Sequence, residues 1–125
     1  MPKFLVLASY TSEGIQGLTR AGGTARRAVA DKLLKSLGGR LEGFYFAFGE
    51  NDAYVIFDVP DNSTAAAISL AVTGTGVIRM KMVALLTPEE MDQAMRKSVH
   101  YEPPGWEAQQ VAKDLDRLIG EGGKD

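Results

Sequence analysis

The segment Gly22-Gly-Thr-Ala-Arg-Arg27 sets two glycines and a hydroxyl just ahead of two guanidinium groups, at the start of a helical stretch. Free amide N–H groups at a helix start attract anions, and glycines let a ligand approach the backbone closely. Arg26 and Arg27 are suited to clamp a phosphate or carboxylate there. Gly23, Thr24, Arg26 and Arg27 are therefore the first candidate ligand residues. This is not a Walker-type phosphate loop, because the Gly-Lys-Ser/Thr ending is missing. The plainer reading makes the glycines a kink and the arginines a solvated face, since helix starts need glycine and polar caps in any case.

Three further groups carry chemistry. Arg79 and Lys81 alternate along one strand face, where they can orient an acidic ligand or pair with Glu42 or Asp58 across a subunit boundary. Tyr10, Tyr45 and Tyr54 are candidates to line a pocket between sheet and helices, where apolar walls and a few hydroxyls suit a small organic molecule. Tyr10 and Tyr45 join the candidate ligand residues, as do Arg79 and Lys81. The remaining aromatics, with Met80, Met82, Met91 and Met95, read as packing. His100 has the side chain best placed to titrate near neutrality. It lies in a proline-bearing linker with no evident orienting carboxylate, which argues for a surface residue.

Composition removes several classes of function. There is no cysteine, which excludes disulfides, thiolate metal sites and cysteine nucleophiles. A single histidine excludes a multi-histidine metal centre within one chain, and no cofactor is expected. A formal charge of −2 argues against nucleic acid as a main partner. No apolar run approaches a membrane span and no leader precedes the first strand, so a cytoplasmic location is expected. One domain of ordinary globular composition fits 125 residues.

These residues need elements to hold them. Lys3 to Thr11 reads as a strand buried on both faces, and Thr11 or Ser12 caps a helical turn beginning near Glu13. After Gly22-Gly23, Thr24 is the expected cap of a helix with Ala30, Leu33, Leu34 and Leu37 on one stripe, stopped by Gly38-Gly39. Leu41–Phe48 and Asp52–Val59, joined by Gly49-Glu-Asn51, form the clearest hairpin in the chain. Asp61-Asn-Ser caps an alanine-rich helix over roughly 62–73, and Val77–Leu86 is a fourth strand. Thr87-Pro-Glu-Glu90 starts another helix as a capping box. The stiff segment from His100 to Trp106 leads to an amphipathic tail with Ala108, Val111, Ala112, Leu115, Leu118 and Ile119 on one stripe, and Gly120 to Asp125 is expected to fray.

This order predicts an α+β, ferredoxin-like βαββαβ sandwich with a four-stranded antiparallel sheet and additional C-terminal helices. Residues 1–105 form the main domain and 106–125 a helical tail. Helices cover one sheet face only. A second copy of the chain is expected to bury the other, giving a homodimer or higher homo-oligomer of the dimeric α/β-barrel type.

Several stretches resemble one family: "LASYTSEGIQGL", "GGTARRAVADKLLKSLGGRLEGFYFAFG", "DVPDN", "AISLAV" and the run from Leu85 to Gly105 are similar to the GYD-domain proteins, small stand-alone bacterial proteins. The resemblance covers about Met1 to Gly105 and implies a fold similar to the dimeric α/β-barrel superfamily, with no common reaction. Of the eponymous Gly-Tyr-Asp at the hairpin turn, Gly49 and Asp52 fit, while Asn51 stands at the tyrosine position.

Two functions compete, with an electron-transfer or haem role resting on His100 alone a distant third. The absence of a nucleophile–base pair favours a homo-oligomeric module that binds a small anionic or aromatic ligand or is purely structural. The alternative is a cofactor-free oxygenase- or isomerase-like enzyme acting in the barrel cavity, a reading that rests on fold analogy.

Overall fold

The computed structural model describes residues 1–122. The chain divides into two compact units, Met1–Met91 and Asp92–Asp125. The first contains strand β1 (Lys3–Tyr10), helices α1 (Ser12–Ala21) and α2 (Gly23–Ser36), strands β2 (Arg40–Phe46) and β3 (Ala53–Asp58), helix α3 (Asn62–Thr73) and strand β4 (Ile78–Leu85). Helix α4 (Pro88–Met95) follows, and α5 (Trp106–Gly122) belongs to the second unit.

The four strands form one antiparallel sheet in the order β2-β3-β1-β4, the ferredoxin-like arrangement. Helix α2 packs over β2 and α3 over β4. Beneath them Phe4, Val6 and Ala8 of β1 meet Ala53, Phe57 and Val59, together with Leu34 of α2 and Ala65 and Ile68 of α3. Period-two alternation sends these strand residues to one face. Their neighbours Leu5 and Leu7 are only half-buried, so β1 is buried on one face rather than both.

Local chemistry explains where elements begin. Thr11 ends β1 rather than extending it: its N–H donates to Val77 O at 2.9 Å, and its hydroxyl accepts from the Gly14 amide at 3.2 Å. That cap supports a full ten-residue helix, longer than the single turn the sequence suggests. Asp61 caps α3 through the Thr64 amide at 2.8 Å, and the Thr64 and Ser63 hydroxyls donate to the same carboxylate. Those bonds, the Thr64 hydroxyl first, hold its carboxyl below the ordinary 3.8. Thr87 and Glu90 form the expected capping box, each side chain accepting from the other's amide at 3.1 Å.

Several boundaries differ from expectation. The hairpin arms are shorter, and residues 47–52 make a longer connection in which Gly49 takes a positive φ of 99°. The fourth strand loses one residue at each end. In the second unit, α5 starts at Trp106, whose amide donates to Pro103 O at 2.9 Å, and Val111, Leu115, Leu118 and Ile119 are exposed along it. The helix runs through Gly122, past the expected onset of fraying, and 123–125 lie outside the described residues. Among the described residues no helix is long and apolar enough to cross a membrane.

Candidate functional site

A pocket of about 130 Å³ opens between the sheet and the two helices that cover it. Its floor is Val6, Ala8 and Tyr10 of β1, with Phe44, Ala53, Val55, Phe57, Ile78 and Met80 from the other strands. Its walls are Arg26, Val29, Ala30, Leu33 and Leu34 of α2, facing Ile68 and Val72 of α3. Only Tyr10 and Arg26 among these carry polar side-chain groups. Small residues at Ala8, Ala30 and Ala53 leave the void, because no longer side chain reaches across from α2 to α3.

Arg26 lies in the first turn of α2. That turn begins at Gly22, which adopts φ 93°, a conformation an L side chain rarely takes. The Gly22 amide closes α1 on Leu18 O, and its carbonyl accepts from the Arg26 amide at 3.2 Å. Gly22 is thus the cap, not Thr24, which sits inside the first turn without a capping bond. Glycine also wins at position 23 for a packing reason: a Cβ there would stand 3.0 Å from the Phe46 ring. Arg26 is half-buried and, among the described residues, has no ion-pair or side-chain hydrogen-bond partner. A half-buried guanidinium with no acid bonded to it keeps its fork of donors free for an anion.

The other sequence-derived candidates divide among separate places. Gly23, Thr24 and Arg27 border a shallower depression with Phe44 and Phe46, adjoining the main pocket through Phe44. Arg79 borders a third, with Ser9, Tyr10 and Thr11. Tyr45 and Lys81 lie on the opposite sheet face. Tyr45 is 67% exposed and pairs across the hairpin with Tyr54, so neither lines the helix-side pocket. Arg79 and Lys81 make no ion pair among the described residues.

The acids expected as their partners are engaged within the chain. Asp58, only 8% exposed, meets Lys3 Nζ at 3.1 Å and Arg40 Nη2 at 3.5 Å, and Lys3 also binds Glu42. The Glu42 carboxylate, followed by Asp58, raises the Lys3 ammonium above its ordinary 10.5, against the opposing pull of partial burial.

The hairpin tip is also a structural stitch. Asp52 Oδ2 accepts from the Tyr10 amide at 2.8 Å, the Asp52 amide donates to Ala8 O at 2.8 Å, and Ser9 Oγ donates to Glu50 O at 3.0 Å. Asn51 Nδ2 reaches the Tyr54 hydroxyl at 3.5 Å. In the second unit His100 does have a carboxylate neighbour, Glu102 at 3.2 Å, and its ring meets Trp106 edge-on at 6.4 Å. Among the described residues no group of three or more acids and histidines converges to hold a metal ion.

Phe44 reads from the sequence only as packing, yet it touches two of these depressions, and nothing in the sequence points to Val29 or Val72. The available signal was the glycine at position 43, which marks a bulge and reassigns the faces of the residues after it.

The GYD domain matches this chain over residues 4–95, about three-quarters of its length. No curated protein and no solved structure matches it.

Proposed function

Since the chain belongs to the GYD-domain family, we propose that it binds a small organic molecule between helices and sheet and works as a homo-oligomer. The observation that carries the binding reading is the pocket itself: apolar on nearly every side, with one guanidinium and one phenol at its border. Concave, apolar sites with a few convergent polar groups are where small ligands bind.

The test fills the pocket. Ala30→Phe places a ring in the void from the wall of α2. Small aromatic probes should raise the melting temperature of the native chain and leave this variant unmoved, provided its circular dichroism is native. Equal shifts in both proteins would remove the reading.

Self-association is supported by the sheet face opposite α2 and α3. Leu5, Leu7, Tyr54 and Ile56 are half-buried there and Val83 is exposed, an apolar centre without a helix of the first unit over it. A C2 pairing would set this patch against its own copy. Light scattering at low micromolar concentration should give a multiple of 13.5 kDa. A monomer there contradicts this part of the reading and leaves the pocket untouched.

A further inference from the structure

We infer that the molecule held in the helix–sheet pocket is an aromatic carboxylic acid of one ring, its carboxylate on Arg26 and its ring against Phe44 and Phe57. This rests on the binding reading above and specifies its ligand. Size comes first. A closed apolar cavity of about 150 Å³ admits benzene, and a pocket of about 130 Å³ that is open on one side suits a single ring whose polar end lies at the mouth. Shape and surface agree, because Tyr10, Phe44 and Phe57 supply aromatic walls that favour offset or edge-on contact with a ring.

Charge decides the rest. Arg26 is half-buried at the pocket wall and has no acidic partner among the described residues. Its fork of N–H donors matches the two oxygens of a carboxylate, and partial exclusion of water strengthens that pairing. It also sits in the first turn of α2, where the helix dipole adds positive potential. Arg27 borders the adjoining depression and raises that potential further.

The experiment is calorimetric titration of the full chain with benzoate, benzamide and 2-naphthoate. Benzoate should bind tightest, and benzamide, which keeps the shape and loses the charge, about tenfold or more weaker, as expected for a charge-assisted hydrogen bond. The second ring of 2-naphthoate should exclude it. Arg26→Gln should cost benzoate that same factor and leave benzamide unchanged. Arg26→Lys should fall between, because it keeps charge and loses the fork. Should benzamide match benzoate, 2-naphthoate bind as well, or Arg26→Gln leave benzoate affinity intact, the ligand assignment is overturned while the pocket remains a binding site. Should none of the three, nor toluene, bind the native chain better than Ala30→Phe, the binding reading itself fails and takes this inference with it.

Discussion

On the sheet face that carries Lys3, Arg40, Glu42 and Asp58, those four charges engage one another. On the face roofed by α2 and α3, Arg26 stands against apolar walls with no acid beside it among the described residues. The first arrangement joins three strands, since Lys3 belongs to β1, Asp58 to β3, and Arg40 and Glu42 to β2. The second does nothing evident for the fold. Charges that satisfy one another hold elements together. A cation left beside a void is available to something that arrives later.

The sharpest way to break this contrast is to compare substitutions on the two faces. Phe57 is 2% exposed and stacks at 5.8 Å from Phe4, so Phe57→Ala should cost about 3–5 kcal/mol in urea unfolding. Leu7 is half-buried on the sheet face opposite α2 and α3 and should cost about 1–2 kcal/mol when cut to alanine. If the chain self-associates through that face, the Leu7→Ala cost grows with protein concentration and the Phe57→Ala cost does so less. Equal costs at every concentration would mean that the two faces are equally covered.

Asp52→Ala should rank next. It leaves the Tyr10 amide without its acceptor and unpins the hairpin tip, at about 1–3 kcal/mol in the same assay. Hydrogen exchange at Tyr10 would check the cause, since that amide should speed up selectively.

The smallest effect belongs to the charge cluster. Lys3 titrates above its ordinary 10.5 in the folded chain, so its contribution is fully present below that value and is lost as pH rises through the folded one. Lys3→Met should therefore reduce stability by under about 1 kcal/mol at neutral pH, because Glu42 lies largely in water and Asp58 keeps Arg40 beside it. The difference from native protein should shrink as pH rises above 10.5. A difference that stays constant there would remove the Lys3 charge as its cause.

Much of the fold is legible in the residues. Alternating aromatics mark the hairpin, Thr87 and Glu90 announce their helix, and Asp61 caps as its position implies. Less of the site is. Thr24 has the right chemistry to cap α2, but Gly22 can take the positive φ that links two consecutive helices, and that backbone requirement outweighs a hydroxyl's hydrogen bond. Tyr45 goes to the wrong face under strict alternation from Leu41. Between Leu41 and Gly43 the strand spends one extra residue against its partner, so Leu41 meets Phe57 of the core while Tyr45 meets Tyr54 on the other side. The pocket is illegible for a different reason. It exists because side chains are short at Ala8, Ala30 and Ala53, three positions that share no spacing and meet only after folding.

The same irregularity in β2 reaches beyond tyrosine placement. β2 borders the sheet, and a regular border offers a template on which further chains can stack without limit. The extra residue spoils the even ladder that an incoming ribbon would have to match, and Arg40 and Glu42 flank the spot with charge. Growth into fibrils is thereby discouraged on this side, whatever the broad surface of the sheet does with a second copy.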